Sequence, residues 1–268
     1  MHKNQRILML MEFQTICGIM MPFVGTVLGA LSVFFIKGLN MRVSAMLSGF
    51  AGGVMMAASF FSLILPAIEG AEKLGALSFL PATVGFLFGV IALLLLDKLV
   101  PHLHLDGRRE GVRSKTSSVG MLVFAVTMHN FPEGVAVGVL YAAVLANEVG
   151  ASLAAAAVFA LGVAVQNFPE GAIISLPLAA EGVKKSRAFA LGVLSAAVEL
   201  LGALFALLLS SLALPLLPYL LGFAAGAMVY VVVEELIPEI ALDKKSNVGT
   251  VAFAVGFTVM MVLDVALG

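Results

Sequence analysis

Apolar residues run along this chain in long blocks, separated by short stretches of charge, proline and glycine. The blocks fall at about 14–36, 44–68, 79–99, 119–146, 151–180, 188–211, 215–240 and 248–267. Each is long enough for a helix that crosses a hydrocarbon core about 30 Å thick, which takes roughly 20 residues. The pattern therefore predicts an all-α polytopic membrane protein with eight transmembrane helices and short loops. No stretch is left for a sizeable soluble domain, so residues 1–268 read as a single transmembrane domain.

Composition sharpens that picture. Of the 268 residues, 61% are hydrophobic and 12% charged, and the mean hydropathy is +1.11. A soluble domain is nearer half apolar and a quarter charged, so a soluble globular protein is excluded. The net charge of -1 carries no nucleic-acid signal. One cysteine, Cys17, permits neither an internal disulfide nor a C-x-x-C thiolate pair. Lys3 and Arg6 are followed by Glu12 and a long apolar run without an A-x-A cleavage site, so helix 1 is expected to be retained and not to act as a signal peptide.

Charge also orients the chain. With both tails outside, the inner loops carry Lys37, Arg42, Lys98, Arg108, Arg109, Arg113, Lys115, Lys184, Lys185, Arg187, Lys244 and Lys245, leaving Lys3, Arg6 and Lys73 outside. The positive-inside rule then places both termini on the extracytoplasmic side of the membrane.

Segments recur at a constant offset. Leu28-Gly-Ala-Leu31 returns 173 positions later as Leu201-Gly-Ala-Leu204, and Gly49-Phe-Ala-Gly-Gly-Val-Met55 as Gly222-Phe-Ala-Ala-Gly-Ala-Met228. Val84-Gly-Phe86 returns near that offset as Val255-Gly-Phe257. Helices 1 to 3 thus read as duplicated in helices 6 to 8. The members of each pair are five places apart in the helix order, so the copies cross in opposite directions, as in transporters that bind substrate near the midplane between inverted repeats.

The two middle helices carry a duplicated polar hexapeptide, His129-Asn-Phe-Pro-Glu-Gly134 and Gln166-Asn-Phe-Pro-Glu-Gly171. On a helix, residues three and four apart share a face. His129, Asn130 and Glu133 therefore align on helix 4, and Gln166, Asn167 and Glu170 on helix 5. Pro132 and Pro169 cannot donate to the carbonyls four residues back, which bends a helix and frees backbone oxygen. Gly134 and Gly171 allow close approach of a neighbouring helix.

A carboxylate in hydrocarbon needs a partner. From Val119 to Gly182 there is no Lys or Arg, and none lies between Arg187 and Lys244, although Glu199 sits within helix 6. Glu133, Glu170 and Glu199 therefore call for a cation that helices 4 to 7 do not supply. Imidazole, carboxylates and side-chain amides suit a borderline divalent ion such as Zn²⁺, with Fe²⁺, Mn²⁺ or Cd²⁺ as others. The absence of thiolates suits an ion in transit better than a trapped one. A selective divalent-cation channel would use the same ligands. An H-E-x-x-H metalloenzyme pattern is missing, and no enzyme is expected.

These motifs, with the eight blocks and the acidic helix 6, resemble the ZIP (Zrt/Irt-like) family of divalent metal transporters, in particular its bacterial GufA-type branch. The resemblance covers nearly the whole chain. It implies a 3+2+3 bundle, a homodimer in the bacterial inner membrane, and import of Zn²⁺ and related metals to the cytoplasm through a binuclear site between helices 4 and 5. By position, one ion would take His129, Glu133, Gln166 and Glu170, with Met55 as a soft additional ligand. The second would take Asn130, Glu133, Asn167, Glu170 and Glu199. Many members have aspartate where this chain has Asn167, which lowers the charge of the second set by one.

Other polar positions are candidates for the ion's path. Asp97, Glu234, Glu235 and Glu239 lie near the inner ends of helices 3 and 7 and form an acidic exit in this reading. Ser59, Ser62, Glu69 and Asp264 lie towards the outer ends of helices 2 and 8 and are candidates for an entrance, although helix packing is the better account of the serines. His102 and His104 form an H-x-H in the basic loop between helices 3 and 4, suited to transient metal contact or simply to solvent.

Overall fold

A computed structural model of the chain describes residues 2–36, 38–99, 102–103, 109–110, 118–148, 151–243 and 246–268. Long helices follow one another: α1 His2–Leu31, α2 Met41–Glu69, α3 Phe79–Leu99, α4 Ser118–Leu145, α5 Leu153–Ala180, α6 Lys185–Leu208, α7 Ser210–Leu242 and α8 Val248–Leu267. Among the described residues, seven spans are long and apolar enough to cross a membrane, in every one of these helices except α4. The α4 helix is itself 28 residues long. The protein is thus a helical, polytopic membrane protein. A two-residue antiparallel ladder, His102–Leu103 with Arg109–Glu110, is the departure from all-helical structure among the described residues.

Helix ends follow local chemistry. Asn40 caps α2 by accepting the Val43 N–H at 2.8 Å, and Ser152 caps α5 through Ala155. Asn147 turns the chain from α4 to α5 at φ 55°, and Gly182 turns it after α5 at φ 91°; both residue types tolerate the left-handed region. Two helix starts differ most from expectation. The α1 helix starts at His2 instead of 14, because nothing in that polar segment breaks a helix. The α7 helix starts at Ser210 instead of 215, since Pro215 is absorbed in a tight 3₁₀ turn, Leu214–Leu216, and Pro218 falls in the next helical turn's first positions, where its missing N–H costs nothing.

The helices pair in a regular way. Packing is most extensive between α1 and α5, α4 and α6, α2 and α8, and α3 and α7. One group comprises α1, α4, α5 and α6; a second comprises α2, α3, α7 and α8; the groups meet where α2 touches α5 and α7 touches α4. Of the seven spans, the window in α5 is 67% buried and that in α8 only 11%. The polar hexapeptide of α5 is therefore on the most enclosed of these helices, while α8 leaves apolar side chains such as Val265 exposed.

Positions 173 apart make matching contacts. Asn167 Nδ2 donates to the Pro22 carbonyl at 3.3 Å, and Asn130 Nδ2 to the Ser195 carbonyl at 3.4 Å. Pro22 and Ser195 are one offset apart, and the two asparagines hold the same place in the two hexapeptides. Glycine packing repeats the relation: a Cβ on Gly171 would run into the Thr26 carbonyl, and one on Gly134 into the Glu199 carbonyl.

Two π-helical segments, unforeseen in the sequence, lie at the same offset: Ser59–Ile64 in α2 and Val232–Leu236 in α7. Each closes on an i→i−5 bond, Leu65 N–H to Phe60 O and Ile237 N–H to Val232 O. The next residue is Pro66 or Pro238, which has no N–H to offer the carbonyl four residues back. Shifting the preceding donor by one residue widens the turn, a distortion common at functional sites.

Candidate metal site

The two hexapeptides face one another across the α4–α5 pair. On α4, His129, Asn130 and Glu133 are buried; on α5, Gln166 and Asn167 are fully buried and Glu170 is partly so. Pro132 and Pro169 sit inside uninterrupted helices. Gln166 Nε2 donates to Glu133 Oε1 at 2.8 Å, joining the motifs directly. From α6, Glu199 enters the cluster, accepting at Oε1 from Asn130 Nδ2 at 3.1 Å and from the Thr26 hydroxyl of α1 at 3.1 Å. Asn130 Nδ2 also lies 3.3 Å from Ser195 Oγ. His129 Nδ1 stands 3.3 Å from Glu235 Oε2 of α7.

These bonds leave several oxygens of the cluster bare. Glu133 Oε2, Glu170 Oε2, Glu199 Oε2, Asn130 Oδ1, Gln166 Oε1 and Asn167 Oδ1 are all buried without a hydrogen-bond partner. Glu133, Glu170 and Glu199 are also close enough for their charges to repel. A buried polar atom without a partner costs roughly 1–3 kcal/mol, more when charged. Six such oxygens on three adjacent helices are what a cation would satisfy. Among the described residues no three His, Cys, Asp or Glu side chains already form a closed coordination cage. The amide donors of Gln166 and Asn130 hold carboxylate oxygens that an entering ion would have to take over.

The remaining candidates are placed as follows. Met55 is 1% exposed in the main apolar core, one turn before the π-helical segment of α2. Ser59 donates to the Met55 carbonyl, a packing role, whereas Ser62 donates to Asp264 Oδ1 at 3.1 Å and ties α2 to α8. Asp97 and Glu239 are each 5% exposed, and Glu239 accepts a hydrogen bond from Ser44. Glu235, one of the residues expected at the inner end of the path, reaches the motif residue His129. His104 and the side chain of His102 lie outside the described residues, as do Lys37, Arg108, Arg113, Lys115, Lys244 and Lys245.

Thr26 and Ser195 were not singled out in the sequence. A lone hydroxyl in an apolar helix is ordinary, and their signal is positional: the 173 offset maps Thr26 onto Glu199 and Pro22 onto Ser195.

A bundle of membrane-crossing helices that encloses carboxylates and carboxamides, with no Lys or Arg between Val119 and Gly182, defines a polytopic membrane protein with a polar, acidic interior. Comparison with known proteins gives the family. Residues 104–264 match the family model described as ZIP Zinc transporter. The chain is 39% identical to "Zinc transporter GufA" of Myxococcus xanthus, covering 91% of this chain and 94% of that protein. It is 34% identical to "Zinc transporter ZIP11" of Homo sapiens, covering 96% and 98%, and 36% identical to "Zinc transporter ZIPB" of Bordetella bronchiseptica, covering 92% and 79%. The chain belongs to the ZIP family. The resemblance drawn from the paired hexapeptides is borne out, and so is the expectation of a transporter and not an enzyme, which is what the family comprises.

Proposed function

We propose that this chain carries divalent metal, Zn²⁺ first, with Cd²⁺, Fe²⁺ and Mn²⁺ as further cargo, into the cytoplasm through a mid-membrane site on α4 and α5. The observation that carries the reading is the set of six buried oxygens without hydrogen-bond partners on α4, α5 and α6. The names of the GufA, ZIP11 and ZIPB relatives, all zinc transporters, support the choice of metal. Two ions share the bridging Glu133 and Glu170. One is held with His129, Gln166 and Met55; the other with Asn130, Asn167 and Glu199.

Residues 1–268 act as one domain of eight spans in a 3+2+3 order, helices 1 to 3 being an inverted copy of 6 to 8. The matching contacts at offset 173 and the parallel pairing of α1 with α5 and α4 with α6 favour that reading. The chain works as a homodimer in the bacterial inner membrane with both termini outside. Ser62 and Asp264 stand at the entrance, and Asp97, Glu234, Glu235 and Glu239 at the exit. Alternating access moves one helix group against the other, exposing the ion to each side in turn; the division into two four-helix groups supports this.

The test is Zn²⁺ entry into liposomes holding the purified chain, the Glu133→Ala variant or the Glu170→Ala variant. Saturable uptake abolished by either change is the expected result. Flux that survives both changes removes these helices from the path, and fast uptake that does not saturate replaces the carrier by a channel.

A further inference from the structure

Thr26 is fully buried in α1, and its hydroxyl has two acceptors within reach. A threonine within a helix ordinarily bonds its own i−4 carbonyl. Here that carbonyl, Pro22 O, lies at 3.4 Å, while Glu199 Oε1 of α6 lies nearer at 3.1 Å. Asn130 Nδ2 reaches the same carboxylate oxygen from α4 at 3.1 Å. Two donors from two helices therefore fix Oε1, and a planar carboxylate held at one oxygen has the direction of the other restricted. That other oxygen, Oε2, is buried without a partner. The backbone beneath Thr26 is fixed as well, because its carbonyl fills the space that a side chain on Gly171 would occupy. The hydroxyl is thereby set in register with the α5 hexapeptide.

We propose that Thr26 is a positioning residue for metal: by donating to Glu199 Oε1 it turns the free Oε2 towards the ion and so sets the affinity of the Glu199 half of the site. This deepens the reading given under Proposed function and rests on it. Thr26 itself does not ligate the ion. Removing its hydroxyl takes away one of the donors that hold Glu199 and loosens the carboxylate, so binding weakens while the steps that follow binding do not change.

The test compares the full-length chain with Thr26→Val, which keeps shape and removes the donor, and Thr26→Ser, which keeps the donor. In Zn²⁺ uptake by proteoliposomes, Thr26→Val is expected to raise the half-saturating concentration roughly three- to tenfold with the maximal rate retained, the size of one ordinary hydrogen bond. Thr26→Ser is expected to restore it. In parallel, infrared difference spectra of the metal-free proteins identify the Glu199 carboxyl band by its loss in Glu199→Gln. That band is expected to shift in Thr26→Val and return in Thr26→Ser. An unshifted band, an unchanged half-saturating concentration, or a serine variant as impaired as the valine one overturns the positioning role. If the unchanged chain carries no Zn²⁺, the transport reading fails, and the infrared shift still decides whether Thr26 holds Glu199.

Discussion

Thr26 and Glu199 are 173 residues apart, the same distance that separates the repeated segments, and they hydrogen-bond to each other at 3.1 Å. In the proposed inverted repeat, equivalent positions would thus meet face to face, one carrying a hydroxyl and the other a carboxylate. Two residues related in this way would sit beside a local two-fold axis, and a group at either one would project into the same space. Exchange is therefore the informative change. Glu199→Thr alone should abolish Zn²⁺ uptake, and adding Thr26→Glu should recover a measurable part of it. An exchanged double variant that is folded by size-exclusion chromatography, yet as inactive as Glu199→Thr, would show that the copies do not meet on an axis at the site.

The bare oxygens make a separate prediction about stability. Glu133 is 1% exposed, holds one hydrogen bond from Gln166 and keeps Oε2 without a partner. Glu133→Gln removes a buried charge that repels Glu170 and Glu199, at the expense of one ligand. Metal-free Glu133→Gln should therefore melt higher than the unchanged protein in thermal scans. Added Zn²⁺ raises the unchanged protein's melting temperature by mass action and should move the variant's little or not at all. Equal Zn²⁺ responses would take Glu133 out of the ligand set.

The spans and the polar hexapeptides were readable because each depends on local pattern. Length and hydropathy bring out a membrane helix whatever it packs against, and i, i+3 and i+4 spacing puts His129, Asn130 and Glu133 on one face before any neighbour is known. The contacts between helices were less accessible. That His129 stands beside Glu235 of α7, 106 positions away, follows from how α7 lies on α4, and no local pattern reports it. Thr26 carried no chemistry of its own and mattered only as the counterpart of Glu199. The π-helical segments had a visible cause in Pro66 and Pro238, but the same residues are equally consistent with a kink, and only the backbone hydrogen bonds separate the two.

Helix approach at the hexapeptides sets another measurable quantity. Gly171 faces the Thr26 carbonyl and Gly134 the Glu199 carbonyl with no space for a side chain. Backbone cannot yield as a flexible side chain can, so Gly171→Ala must push α1 away from α5, an overpacking cost of roughly 1–3 kcal/mol. A melting temperature lower by several degrees is expected. Zn²⁺ uptake should fall with it, because Thr26 moves away with α1. Gly38→Ala, where an added Cβ meets nothing, serves as the control and should change neither. A Gly171→Ala protein as stable as the control would mean that α1 and α5 do not approach this closely in the membrane.

Asn167 decides how strongly the second set of ligands attracts charge. Its Oδ1 is buried without a partner, and its Nδ2 donates to the Pro22 carbonyl at 3.3 Å. Asn167→Asp adds a negative charge beside Glu133, Glu170 and Glu199, and it exchanges that donor for an oxygen facing a carbonyl. Without metal both effects are unfavourable, and the variant should melt below the unchanged protein. With metal the added carboxylate is a better ligand than the carboxamide it replaces, so the second ion should be held more tightly. Elemental analysis after dialysis against limiting Zn²⁺ is expected to find more metal per chain in Asn167→Asp, approaching two ions, and its melting temperature should rise more steeply with added Zn²⁺. The same tightening slows release, so maximal uptake should fall even as binding improves. Metal content unchanged by the substitution would place Asn167 outside the coordination sphere and reduce the site to the set built on His129, Glu133, Gln166 and Glu170.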